Sequence, residues 1–232
     1  MLPYFLLDNE NKGKFAKFND KIIHIVVDDF PYKQPNINFT FNHQWKNEYF
    51  QRNCIVRGLQ LLQSSKRTFK NEDIILTSDI DEIPNPKKLE EFDIKNKYAC
   101  FLQKNFQSKI NLMNITDGDW PGTKICQKRY LKSPQWLRNL KIKKKPFWKI
   151  FNKNIQLINN GGWHFSFLKS PESIKNKIIS YSHQEYNTEE FTNTDLIEKK
   201  ISLGEDLFHR KINYKKITID DSFPDYIVKN RE

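Results

Sequence analysis

Asp79 and Asp81 stand two residues apart, after the apolar run Ile74-Ile75-Leu76 and Thr77-Ser78, with Glu82 and Pro84 close behind. The run reads as a buried strand. Pro84 lacks a backbone N–H and restricts Ile83, so the strand should stop there. The carboxylates then lie at a strand's carboxyl end, where open α/β sheets bind ligands. Residues two apart share a face of an extended chain, so both side chains can point at one object. Two like charges that close repel unless a cation sits between them. Carboxylate oxygens suit Mg²⁺ or Mn²⁺, which keep positions open for water or phosphate oxygens. A bare Asp-x-Asp also fits an acidic turn. The strand before it and the proline after it shift the balance toward a metal–diphosphate site.

His164 is the second candidate. It follows Gly161-Gly162 and alternates with Trp163, Phe165 and Phe167, so it shares its face with Ser166 rather than with the rings. That suits a metal ligand or a diphosphate donor. The two glycines let the backbone approach a ligand closely or take positive φ. Arg52 lies on a helical pattern leading toward the Asp-x-Asp strand, where it could give a diphosphate charge-assisted hydrogen bonds; a solvated helix arginine is the alternative. Trp120 sits in the turn-rich stretch Asp117–Gly122, either lining a pocket or folded back on the core. His183 and Glu185 stand two apart near a helix end and suit acid–base chemistry. A histidine there also favours the helix dipole without any chemistry.

The elements that must position these residues follow from pattern. Lys21–Val27 is β-branched and predicts the first strand, with His24 as a core or sheet histidine. A helix is expected from Asn42, a possible N-cap, to about Gln63, with Trp45, Tyr49, Arg52, Val56 and Leu59 near one face. A short helix at Lys87–Phe92 and strands at Tyr98–Lys104 and Ile110–Met113 come next. Ser133-Pro134 opens a helix to Leu140. An aromatic cluster at Phe147, Trp148 and Phe151 precedes a strand at Ile155–Ile158. Ser170-Pro171-Glu172 carries a cap, an N1 proline and a first-turn acid, and Ile174, Ile178 and Tyr181 give that helix an apolar stripe. A last helix at Asn193–Leu203 stops at Gly204, and a strand follows at Lys215–Ile219. The mixture predicts one α/β domain over residues 1–232.

Composition narrows the class. The chain is 38% hydrophobic and 14% aromatic, with 18 Phe, which excludes a disordered chain. A net charge of +11 suits an anionic partner such as a nucleotide-sugar, a nucleic acid or an acidic membrane surface, although an AT-rich genome produces the same lysine excess. The lysines are scattered apart from Lys141, Lys143, Lys144 and Lys145, which argues against nucleic acid. Cys54, Cys100 and Cys126 have no metal-ligand spacing, and an odd count gives no disulfide framework. With no stretch of membrane-spanning length and no signal peptide, the expected location is cytoplasmic.

Five stretches in order resemble glycosyltransferase family 17: Lys21–Asp29 (KIIHIVVDD), Glu48–Gly58 (EYFQRNCIVRG), Asp79–Pro84 (DIDEIP), Gly161–Phe167 (GGWHFSF) and Ser182–Asn187 (SHQEYN). The resemblance spans roughly Lys21 to Arg210. It implies a GT-A fold (a mixed sheet flanked by helices), a UDP-N-acetylglucosamine donor, Mn²⁺ or Mg²⁺, and inversion at the anomeric carbon. It also places Met1 after the family's usual first strand–helix unit, so the expected sheet lacks that strand and Lys21–Val27 should lie near the nucleotide side.

The expected mechanism is direct displacement by a glycan hydroxyl. Asp79, Asp81 and His164 are the expected metal ligands. Arg52, Gly161 and Gly162 join those three around the donor. Glu185 is the expected base, with Asp119 and Asp206 as rivals. A haloacid-dehalogenase-type phosphatase also starts from a strand and Asp-x-Asp. A non-catalytic sugar- or nucleic-acid-binding remnant of a transferase is the third reading.

Overall fold

A computed structural model describes residues 13, 15–34, 42–64, 69–142 and 155–230. The lysines at 143–145 and the cluster Phe147, Trp148 and Phe151 lie outside the described residues.

Seven strands form one mixed sheet: β1 (Ile74–Thr77), β2 (Glu82–Pro84), β3 (Tyr98–Gln107), β4 (Leu112–Asn114), β5 (Trp120–Gln127), β6 (Ile155–Ser166) and β7 (Tyr214–Lys216). β3 and β6 run parallel at its centre, and every other pair is antiparallel. β3 is covered on both faces, with Ala99, Cys100, Phe101 and Phe106 fully buried. A central strand reads as a continuous apolar run for that reason. Phe92, Ala99, Phe101, Ile125 and Ile158 make one core cluster.

The α-helices with full ranges among the described residues are α1 (His43–Asn53), α2 (Ile55–Ser64), α3 (Pro134–Arg138), α4 (Pro171–Ser180), α5 (Glu189–Thr192), α6 (Thr194–Leu203) and α7 (Asp225–Lys229). Their ends are set by local chemistry. The Ser133 and Ser170 hydroxyls accept from the backbone N–H of Trp136 and Ser173, each followed by a proline at N1. The Asn193 side chain caps α6, and Gly204 ends it at φ 72°. α4 and α6 pack through Ile174, Ile178 and Ile197 onto Leu207 and Phe208. Among the described residues no helix is long and apolar enough to cross a membrane, and Cys54, Cys100 and Cys126 are buried free thiols.

Four expectations need correction. Lys21–Val27 is not a strand: Ile22–Phe30 runs without sheet pairing, and His24 is exposed rather than held in a sheet or core. A strand needs a partner for its backbone, and β-branched composition alone supplies none. The segment lies instead on α2, where a Cβ on Gly58 would meet Ile23 and Ile25 at 3.7 and 3.5 Å. The expected single helix is broken at Cys54, and Asn42 is left-handed at φ 51° with no side-chain cap. The strand expected at Ile155–Ile158 continues to Ser166 as β6. The two aspartates do not share a face of an extended strand. The Glu82 N–H donates to the Asp79 carbonyl at 3.0 Å, so the chain turns between β1 and β2 instead of staying extended. Ile80, 85% exposed, marks the apex.

Candidate functional site around the Asp79–Glu82 turn

The turn sends its carboxylates to different neighbours. Asp79 faces the helices. Its Oδ1 accepts from Arg52 Nη2 at 3.1 Å, and its Oδ2 accepts from Arg138 Nε and Nη2 at 3.1 and 2.8 Å. Two elements supply these arginines, α1 and α3. Burial alone would raise the Asp79 pKa, but the hydrogen bonds and charge of Arg138 and Arg52 outweigh it and hold the carboxyl below its usual range.

Asp81 faces β6 and α4. Lys177 Nζ lies 3.2 Å from its Oδ2, and His164 Nε2 lies 3.8 Å from its Oδ1. The register explains the histidine: Glu82 pairs with His164 across β2 and β6, and Asn105 of β3 pairs with it on the other side. Paired residues point to one face. The Asn105 carbonyl oxygen meets His164 Nδ1 at 2.9 Å, and Trp120 stacks on the ring at 4.5 Å and 14°. An amide carbonyl can only accept, so Nδ1 carries the proton and Nε2 presents a lone pair toward Asp81. Burial lowers the His164 pKa, which keeps that ring neutral.

Glu82 is the turn's sealed member, with a side chain of 0% exposure. Its Oε1 accepts from Arg138 Nη2 and Trp120 Nε1, both at 2.7 Å, and its Oε2 accepts from the Asp79 N–H at 3.2 Å. Burial wins here and raises its pKa despite Arg138 and the Trp120 hydrogen bond. Arg138 thus bridges Asp79 and Glu82.

The other expected site residues fall in several places. Arg52 reaches Asp79 and also bonds Glu48 at 2.9 Å and Gln135 at 2.5 Å. The close approach of Gly161 and Gly162 is to neighbouring strands: a Cβ would meet Phe101 at 2.6 Å and the Ile83 carbonyl at 2.1 Å respectively. Gly162 sits at φ 139°, which a side chain rarely tolerates. Glu185 is half-exposed beside His183, its Oε1 2.7 Å from the ring Nδ1. Asp119 is exposed before β5. Asp206 sits beside Gln107, two residues along β3 from Asn105, clamped by Arg210 Nη2 at 2.7 Å, Tyr214 Oη at 3.2 Å and the N–H of Phe208 and Arg210 at 3.0 and 2.7 Å.

Among the described residues no group of three or more His, Cys, Asp and Glu side chains is gathered as a metal cage. The donors that remain are Asp81 oxygen and His164 nitrogen, since both Asp79 oxygens are engaged by guanidinium groups. The Asp81 oxygen suits a hard divalent ion of the Mg²⁺ or Mn²⁺ kind, and the imidazole nitrogen beside it favours Mn²⁺ of the two; water and substrate phosphate would complete the shell. Lys177 extends toward Asp81 over the Phe167 ring, 4.6 Å from its centroid, and its side chain is 37% exposed.

Sequence reasoning missed Arg138, Lys177 and Asn105 and gave Glu82 no role. Arg138 had one signal, a short capped helix ending in a basic residue; Lys177 and Asn105 had none, because strand register and helix docking bring them in.

No family model matches the chain, and neither a curated protein nor a solved structure matches it.

Proposed function

We propose that this chain is a metal-dependent inverting glycosyltransferase of GT-A type, moving a sugar from a UDP-sugar to a glycan hydroxyl, with UDP-N-acetylglucosamine the first donor to test. The observation that carries the reading is the division of labour in the turn. Asp79 is saturated by two arginines, while Asp81 and His164 offer one oxygen and one neutral nitrogen to the same space. Two of the five stretches that resemble family 17, Asp79–Pro84 and Gly161–Phe167, carry these residues. A bound Mn²⁺ or Mg²⁺ supplies charge neutralisation on a departing diphosphate.

The chain's own residues do the rest. Asp81 and His164 hold the ion. Lys177, on a flexible stem, places a cation where diphosphate oxygens gather. Arg52 and Arg138 fix Asp79, and Arg138 together with Trp120 fixes Glu82, so the turn is rigid before any donor arrives. Trp120 in turn flattens the His164 ring against one face.

The phosphatase reading is less well supported. An aspartate nucleophile needs a carboxylate oxygen open for attack, and both Asp79 oxygens are held by guanidinium groups.

The test is a UDP-release assay across UDP-sugars, with and without Mn²⁺. The proposal expects release from at least one donor that depends on the ion. Release that is indifferent to Mn²⁺ and chelator, or no release from any UDP-sugar, would refute it.

A further inference from the structure

The segment after α4 is tied to both sides of the turn. On α1, Trp45, Glu48 and Arg52 follow one another at helical spacing and share a face. Arg52 ends that row on Asp79. Glu48 accepts a hydrogen bond from the Ser182 hydroxyl. Trp45 meets the His183 ring edge-on, with centroids 4.7 Å apart and planes at 86°. On the other side, α4 carries Lys177 to Asp81, and the Tyr181 N–H bonds back to the Lys177 carbonyl at 3.0 Å before the chain reaches His183. The two helices that reach Asp79 and Asp81 therefore also hold His183. From Trp45 to Arg52 the axial rise is about 10 Å. His183 and Asp79 are thus held at opposite ends of one face of α1.

His183 does not stand alone. Its Nδ1 lies 2.7 Å from Glu185 Oε1, and the two side chains are 46% and 42% exposed. A carboxylate can only accept, so Nδ1 carries the proton and Nε2, on the far side of the ring, is the proton acceptor. An imidazole oriented by a carboxylate at its other nitrogen is a general-base arrangement.

Resting on the glycosyltransferase reading, we infer that His183 is the general base on the acceptor side and Glu185 its positioning residue. This replaces the expectation that Glu185 is itself the base. The acceptor O–H gives its proton to His183 Nε2. The oxygen lone pair forms the new bond to the anomeric carbon. The bond from that carbon to the diphosphate oxygen breaks, and its electron pair leaves on UDP. Glu185 stabilises the imidazolium until solvent takes the proton. Trp45 and the half-exposed Tyr49, 6.2 Å from it, form an aromatic flank on the same helix against which an acceptor sugar ring can lie.

The experiment uses water as the acceptor, so no glycan need be identified. UDP release from UDP-sugars with Mn²⁺ is measured for the parent, His183→Ala and Glu185→Gln, together with UDP binding by calorimetry. The inference expects His183→Ala to bind UDP as the parent does and to lose about 10²–10⁴-fold in release rate. Added imidazole should restore part of that loss, and Glu185→Gln should lose less. His183→Ala at the parental rate, or a loss that imidazole does not relieve, overturns the role of His183 and leaves the transferase reading intact. A parent that releases no UDP overturns both.

Discussion

Two carboxylate–arginine networks in this molecule are built differently. Asp206 draws nearly all its partners from the next eight residues: the Phe208 and Arg210 N–H groups, the Arg210 guanidinium and the Tyr214 hydroxyl. Gln107, from β3, closes it by meeting Arg210 at 2.8 Å. The Asp79–Glu82 turn instead puts three acids within four residues and draws its partners from α1, α3, α4, β5 and β6. In both, burial pushes the aspartate pKa up and arginine brings it below the usual range. A depressed aspartate pKa therefore does not distinguish a clamp from a site. What differs is the acid left over: beside Asp206 it is Glu205, on the exposed surface, whereas the turn fully engages Asp79 and Glu82 and leaves the partly buried Asp81 to a lysine and a neutral histidine.

Arg138→Ala should have the largest effect on stability. It leaves Glu82 buried without its cation, and removing one partner of a buried pair costs about 3–5 kcal/mol. Urea unfolding would measure it, and a loss under 1 kcal/mol would mean that the turn does not depend on Arg138. Arg210→Ala should cost less, about 1–3 kcal/mol, because Arg210 is 42% exposed and Asp206 keeps its backbone and tyrosine donors. It should also leave UDP binding unchanged. If Arg210→Ala abolishes UDP binding while Arg138→Ala spares it, the two networks have been assigned the wrong way round.

The smallest effect is in the pH dependence of stability. Burial holds the His164 pKa below its ordinary value, so the unfolded chain takes up that proton first as the pH falls. Its contribution is present above about pH 6.5 and is lost as the pH falls toward the folded value. Asp79 and Asp206, both depressed, lose theirs only below about pH 4. Glu82 has the opposite sign: its raised pKa gives stability at low pH that is lost as the pH rises through the folded value. His164→Gln should flatten the upper part of the acid limb and leave the part below pH 4 alone. An acid limb identical to the parent's would mean that His164 is not held neutral by burial.

What could be read from the chain was local. Ser133, Ser170, Asn193 and Gly204 set helix ends with groups within three residues, and all four ends fall where the sequence places them. Asp79, Asp81, His164 and Arg52 announce themselves by residue type, by a strand end and by alternation, and the fold brings them together. What could not be read depends on distant partners. Lys21–Val27 has the composition of a strand, but among the described residues no other strand reaches it. The turn at Asp79–Glu82 divides two aspartates that an extended chain would have aligned. Glu82 is as acidic in sequence as its neighbours, and only the packing of Trp120 and Arg138 makes it the buried one. Arg138 and Lys177 are two among 39 basic residues, and nothing in their spacing separates them from the solvated majority.

The central claim is that Asp81, with His164, holds the ion that receives a nucleotide diphosphate. Calorimetric titration of UDP with and without Mn²⁺, in the parent and in Asp81→Asn, tests it most directly and needs neither donor sugar nor acceptor. The account predicts that UDP binds the parent only with Mn²⁺, and that Asp81→Asn weakens that binding by at least about 10–100-fold, the cost of losing even an outer-shell partner, with its urea midpoint within error of the parent's. Asp81→Asn binding UDP as tightly as the parent in Mn²⁺, or a parent that binds UDP equally well in chelator, would contradict it.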